Sequence, residues 1–146
     1  MSLLRRVPLF ERCSRRELAK IASIAREIQY PAGTAVVREG ERAAEFFIVV
    51  EGEVDVRRGG RKLATLGTGN FFGEIALITG SPRTAMVITG TPLRALFISS
   101  GDFREFLKAS PDVQYKLLQA VAQRLEHLSA ADEYRRIRVR DETVPG

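Results

Sequence analysis

The chain has 146 residues, of which 45% are hydrophobic and 28% charged, and its formal net charge is +5. This length fits one domain with a sizeable core, and the composition is ordinary for a water-soluble globular protein. We expect no membrane span and no signal peptide, and the single cysteine, Cys13, excludes an internal disulfide. A cytoplasmic protein, or the cytoplasmic portion of a larger one, is the resulting expectation.

The first regular element predicted along the chain is an amphipathic helix over about residues 15–26. Ser14 and Glu17 have the spacing of a capping box. Apolar residues then recur at helical spacing. They are Leu18, Ile21, Ala25 and Ile28. A proline and a glycine at positions 31 and 33 predict a turn after this helix.

Short strands are predicted from there to about residue 99. The segments 34–38, 46–50, 54–57, 61–66, 84–89 and 93–98 are rich in β-branched and apolar residues or alternate with polar ones. Gly59 and Gly60 form a two-residue hairpin turn. Many short strands with regular glycine and proline turns favour a sandwich or a barrel.

Helices are predicted again near the C-terminus. Asp102 and Glu105 form an N-cap pair for a short helix, and Ser110 followed by Pro111 starts a longer helix to about residue 131. Four apolar residues of this last helix are spaced 3, 4 and 3 apart, as in a short coiled-coil seam. They are Leu118, Val121, Leu125 and Leu128. We expect residues 132–146 to form a basic, flexible tail.

The segment 72–85 offers two kinds of binding group. Gly73 permits a sharp change of backbone direction, and residues 74–77 form a short helical turn whose first amides point outward as donors. These amides and the guanidinium of Arg83 suit a phosphate. The carboxylate of Glu74 only accepts hydrogen bonds, so it suits a hydroxyl or an amine of the same ligand.

This segment resembles the phosphate-binding cassette of cyclic nucleotide-binding domains. A second pattern of that family also matches, and its positions are Val36, Val37, Gly40, Glu41, Phe46, Phe47, Ile48, Val49 and Gly52. The resemblance covers about residues 4–128 and implies a domain over 1–131. It implies a mainly β fold with flanking helices: an eight-stranded jelly-roll-like β-roll over about 27–99, an N-terminal helix, a short cassette helix and C-terminal lid helices over about 102–131.

The resemblance also implies roles for individual residues. Glu74 takes the ribose 2′-hydroxyl, while Arg83 and the amides of Ala76 and Leu77 take the cyclic phosphate. The candidate ligand-binding set is Phe72, Gly73, Glu74, Ile75, Ala76, Leu77, Arg83, Thr84 and Ala85. An alignment by length adds a wall beside the base and two lid positions, which are Val56, Ala64 and Leu66, and Arg124 and Leu128.

The choice of base rests on Thr84. Some cGMP-selective relatives have a threonine at this position, and channel-type relatives with the same threonine bind cAMP. We expect cAMP to be favoured, with cGMP as the competitor.

The implied function is a regulatory sensor domain that acts through its lid helix on an effector outside this chain. We expect no enzyme and no metal site, because the single histidine, His127, lies on the last predicted helix and no nucleophile–base constellation is evident. No DNA-binding domain is expected after that helix. A homodimer through the leucine seam is one possible assembly, and the alternative function is a non-binding copy of the fold that serves as an interaction or dimerisation module.

Overall fold

The computed structural model describes residues 2–42, 45–74, 79–80 and 82–126. Within them, two antiparallel sheets of four strands each have the orders β1-β8-β3-β6 and β2-β7-β4-β5. The strands are β1 Arg26–Tyr30, β2 Ala35–Val37, β3 Glu45–Glu51, β4 Val54–Arg58, β5 Arg61–Leu66, β6 Phe71–Phe72, β7 Met86–Thr89 and β8 Leu93–Ser99. This arrangement, with helices at both ends, confirms the expected β-roll.

Helices flank the two sheets. They are α1 Ser2–Arg5, a 3-10 turn Pro8–Phe10, α2 Arg15–Ile24, α3 Ser100–Lys108 and a last helix, α4, over 111–126. The capping box at Ser14 and Glu17 is present. Helix α4 begins directly after Ser110, as the sequence predicts.

Strand β3 is buried on both faces and therefore belongs to two cores. Its residues Phe47 and Val49 pack between the sheets, where the ring of Phe47 stacks on Phe72 at 4.8 Å between centroids. Residues Phe46 and Ile48 alternate to the other face and pack against the helices. The ring of Phe46 stacks there on Phe103 of α3 at 4.4 Å. Strand β3 thus packs against the helices with one face and against the second sheet with the other.

Helix α4 packs on the helical core through Val113 and Leu117. Lys116 pairs with Glu11 at 2.7 Å and so joins α4 to the N-terminal turn. Leu118 and Leu125 of the expected seam are exposed, together with Tyr115. Val121 is partly buried against the core instead.

Three boundaries differ from the sequence prediction by two residues or more. Helix α2 ends at Ile24, and the next residues form β1, an element that the helical spacing of Ile28 concealed. Strand β7 begins at Met86, two residues after the expected start at Thr84. The N-cap of α3 is Ser99, whose Oγ accepts from the Asp102 amide, so the cap expected at Asp102 is wrong.

Several expected features lie outside the described residues. They are the cassette positions 75–78, Leu128, His127 and the tail 132–146. No described helix has the length and apolar character needed to cross a bilayer. Cys13 is buried, and this burial raises the pKa of its thiol to about 11, so little thiolate forms at neutral pH.

Replacing Phe46 tests the packing of strand β3 against the helices. Phe46 is 0% exposed, so Phe46→Ala leaves a cavity and should lower the free energy of unfolding by about 3–5 kcal/mol. Tyr115→Ala is the control, because Tyr115 is 63% exposed on α4, and it should change stability by no more than about 0.5 kcal/mol. Urea unfolding measures both, and equal losses would contradict the assignment of Phe46 to this core.

Candidate functional site

A cavity of about 800 Å³ opens between the second sheet, the cassette and helix α4. Most of the accessible surface of its lining is apolar, with a few charged groups among it. Residues lining it include Val56, Ala64, Leu66, Phe72, Gly73, Glu74, Arg83, Thr84, Ala85 and Arg124. The structure thus brings together the cassette residues that it describes, the expected wall and one of the two expected lid residues.

Arg83 lines this cavity, and two backbone carbonyls hold its guanidinium. Nη1 donates to the Gly73 carbonyl at 3.1 Å, and Nη2 donates to the Glu45 carbonyl at 2.6 Å. Gly73 has φ +96, and a Cβ at this position would lie 2.8 Å from both the Arg83 Nη1 and the Glu45 carbonyl oxygen. Only glycine fits here, because it accepts the positive φ and leaves room for the arginine.

The Arg83 side chain is a buried cation, and the residue is 5% exposed. Burial lowers the pKa of Arg83 from its usual value, against the opposing effect of the carboxylates of Glu45, Glu41 and Glu74. An arginine remains protonated at neutral pH even so. Its Nε is buried and has no hydrogen-bond partner within the described part of the chain. Among the described residues, the site therefore holds a fixed positive charge with a buried donor that no described group satisfies.

Glu74 is paired with helix α4. The residue is 5% exposed, and its Oε1 accepts from Arg124 Nη1 at 2.6 Å. Arg124 Nη2 donates to the Phe71 carbonyl at 2.5 Å, and its guanidinium carbon lies 4.3 Å from the centre of the Phe71 ring. Three contacts from one side chain thus connect the last helix to the start of the cassette.

The apolar wall consists of residues from the β4–β5 hairpin. Val56 is directly opposite Ala64 in the register of these strands, and Leu66 is opposite Val54. Thr84 is exposed and lies two residues before β7, outside the strand ladder. Among the expected ligand residues, Ile75, Ala76, Leu77 and Leu128 lie outside the described part.

Other cavity residues were missed at the sequence level. Val87 of β7 lies two positions after Ala85, so side-chain alternation in the strand predicted over residues 84–89 could have placed it beside the cavity. Pro8 and Leu9 of the 3-10 turn and Arg58 of β4 also line the cavity. No local pattern marks these three, because only the tertiary fold brings them to the cassette.

A metal centre is not evident in the described ranges, where no group of three or more His, Cys, Asp and Glu side chains is close enough to hold an ion. The charged groups that line the cavity include instead the Arg83 guanidinium, which suits an anion, and the Glu74 carboxylate, which suits a hydroxyl.

Gly73→Ala tests whether the arginine needs the space beside Gly73. Strain at a positive φ should cost about 1–2 kcal/mol, and crowding against Arg83 and the Glu45 carbonyl should add about 1–3 kcal/mol. Gly33→Ala is the matched control, because Gly33 has φ +78 with nothing within 4 Å of an added Cβ. Thermal unfolding of both variants compares these costs, and equal losses would show that only strain operates.

Comparison with known proteins identifies the family. The family model described as the cyclic nucleotide-binding domain matches residues 27–110. The chain is 47% identical over 85 residues to a cAMP-dependent protein kinase regulatory subunit of Mycosarcoma maydis, covering 56% of this chain and 16% of that protein. It is 35% identical over 122 residues to a cyclic nucleotide-gated potassium channel of Rhizobium etli, covering 84% of this chain and 34% of the channel.

A solved structure agrees in fold. Cyclic AMP-bound PfPKA-R superposes with a TM-score of 0.82 at 23% identity, over 90% of this chain and 45% of that one. The chain spans less than half the length of each of these proteins. The match over 27–110 spans more than half of the present chain, and it includes the cassette with Gly73, Glu74 and Arg83. This chain therefore belongs to the cyclic nucleotide-binding domain family.

Proposed function

We propose that this domain is a sensor for a cyclic nucleotide, with cAMP favoured over cGMP, and that helix α4 transmits the signal. The observation that supports this most directly is Arg83, a buried cation on the cavity wall whose Nε lacks a hydrogen-bond partner among the described residues. An unsatisfied buried donor is costly, and a phosphate oxygen of a ligand is a suitable acceptor for it.

Each part of the cavity suits one part of the nucleotide. Arg83 and the amides of Ala76 and Leu77 bind the cyclic phosphate in this proposal, and Glu74 accepts from the ribose 2′-hydroxyl. The apolar wall of Val56, Ala64 and Leu66 contacts the base, and Arg124 and Leu128 cover it. The remaining cassette residues, Phe72, Gly73, Ile75 and Ala85, shape the backbone around the phosphate.

The preference for cAMP rests on relatives rather than on a contact. A kinase regulatory subunit that is similar to this chain carries cAMP in its name. Thr84 offers a hydroxyl at the cavity, and a hydroxyl bonds either base without excluding the other. The proposal therefore gives Thr84 a modest effect on the cAMP to cGMP ratio.

Signal transmission uses the Arg124 contacts. A ligand hydroxyl at Glu74 competes with Arg124 for the same carboxylate, so its arrival changes the interactions that hold α4 against the cassette. A ligand that makes different contacts in the two helix positions shifts the equilibrium between them. The effector lies outside this chain, and we propose that the domain works in the cytoplasm and has no catalytic activity of its own.

A second candidate is an interaction module, and the exposed face of α4 favours it. Tyr115, Leu118 and Leu125 are exposed large apolar residues at helical spacing. A homodimer through Tyr115 and Leu118 is compatible with nucleotide binding, since neither residue lines the cavity, whereas Leu125 does. If the domain formed this homodimer and bound no nucleotide, its function would be that of a dimerisation module.

Titration calorimetry of the purified chain with cAMP and cGMP in parallel tests the proposal. We expect a Kd of about 1 μM or tighter for at least one nucleotide. Arg83→Ala should cost about 2–5 kcal/mol of binding free energy, because it leaves the phosphate charge without its partner. Arg38→Ala is the control for removal of a cation, as its side chain is 68% exposed, and it should leave the Kd unchanged within about twofold.

Two outcomes contradict the proposal. Equal affinities of Arg83→Ala and Arg38→Ala would remove Arg83 from the phosphate site. No binding of either nucleotide by the folded wild-type chain, together with a dimer in sedimentation, would favour the interaction module.

The ribose assignment has its own test. Glu74→Ala should weaken cAMP binding about 10- to 100-fold, because a charge-assisted bond to the 2′-hydroxyl is lost. The variant should weaken 2′-deoxy-cAMP binding much less, since that ligand has no hydroxyl to donate. Calorimetry with both ligands provides the comparison, and the same loss for both would refute the assignment of Glu74 to the sugar.

A further inference from the structure

The β4–β5 hairpin reaches the cassette through a side chain at the end of its first strand. β4 pairs with β7 from Val54 opposite Thr89 to Arg57 opposite Met86, so the ladder stops one residue before Arg58. The Nε of Arg58 donates instead to the Thr84 carbonyl at 3.0 Å. This side-chain hydrogen bond connects the end of β4 to the segment between Arg83 and β7.

The tip of the same hairpin has a second connection to this segment. The Gly59 amide donates to Glu39 Oε1 at 2.8 Å. The neighbouring Gly40 amide donates to the Arg83 carbonyl at 2.8 Å, and the Arg83 amide donates to the Glu41 carbonyl at 2.9 Å. The backbone of Arg83 is therefore held by a loop that is itself bonded to the hairpin.

These contacts connect Arg58 to Thr84, the residue directly after Arg83, which is the side chain that we propose binds the phosphate. Arg58 lines the cavity, and its hydrogen bond fixes the carbonyl of Thr84, whose amide belongs to the same peptide unit as the Arg83 carbonyl. We propose that Arg58 is a positioning residue for cyclic nucleotide binding, which holds the Arg83–Thr84 backbone so that the Arg83 side chain meets the phosphate. This inference rests on the proposed function.

Arg57 provides a control that distinguishes a positioning role of Arg58 from a general effect of its positive charge. It carries the same charge one residue earlier on the same strand, where successive side chains point to opposite faces. Its Nη1 donates within the hairpin, to the Gly60 carbonyl at 3.4 Å. A long-range attraction for an anionic ligand would treat the two arginines nearly alike, whereas the contact with Thr84 belongs to Arg58.

Calorimetric titration of the full chain with cAMP tests this proposal at about 0.05 M and about 0.5 M salt, where screening of exposed charges differs strongly. We expect Arg58→Ala to weaken binding about 5- to 10-fold at both salt concentrations, as for the loss of one hydrogen bond. Arg57→Ala should weaken it by less than about twofold, with no difference left at high salt. Equal losses for the two variants would overturn the proposal.

A double-mutant cycle with Arg83→Lys shows whether Arg58 acts through Arg83. Binding by the single ammonium of that variant depends less on backbone orientation than binding by the guanidinium fork. In the Arg83→Lys background, Arg58→Ala should therefore weaken cAMP binding by less than half the factor that it does in the wild-type background. The same fold loss in both backgrounds would overturn the proposal. Failure of the folded wild-type chain to bind either cAMP or cGMP would instead contradict the proposed function.

Discussion

The site depends on the way a buried guanidinium is held by two backbone carbonyls. Arg83 donates to Gly73 and Glu45, so its orientation comes from the main chain and not from flexible neighbouring side chains. Burial makes an unpaired charge expensive, and this geometry compensates part of that cost while leaving Nε without a partner in the described structure. Because Gly73 has φ +96 and lies against the arginine, one residue sets both the turn and the space for the charge.

The surrounding fold places other groups around this arginine. Strand β3 supplies the Glu45 carbonyl and, through Phe46, also anchors the helical layer that ends in α4. Helix α4 returns to the cassette through Arg124, which contacts Glu74 and Phe71. Strand β3 and the short cassette segment therefore connect Arg83, to which we assign the phosphate, with α4, to which we assign signal transmission.

Local sequence signals predicted much of this arrangement. The capping box of α2, the Gly59–Gly60 hairpin and the serine–proline start of α4 are each determined by near neighbours, and all are present. Strand β1 was missed because Ile28 continues the helical spacing of α2. The strand that pairs with β1 is β8, which is far away in sequence and gives no local signal. The cassette residues carried a family pattern that names Glu74 and Arg83. The contacts of Arg124 and Arg58 join residues 50 and 26 positions apart, and no local pattern encodes such distances.

A crystal structure of the chain with cAMP would test the central claim most directly, because it locates the phosphate relative to the fixed arginine. The account predicts phosphate oxygens about 3 Å from the Arg83 guanidinium, with the bonds from Arg83 to the Gly73 and Glu45 carbonyls retained. It also predicts the ribose 2′-hydroxyl at Glu74. A phosphate bound away from Arg83, or an Arg83 that leaves both carbonyls to reach it, would contradict the claim that the backbone orients this cation for its ligand.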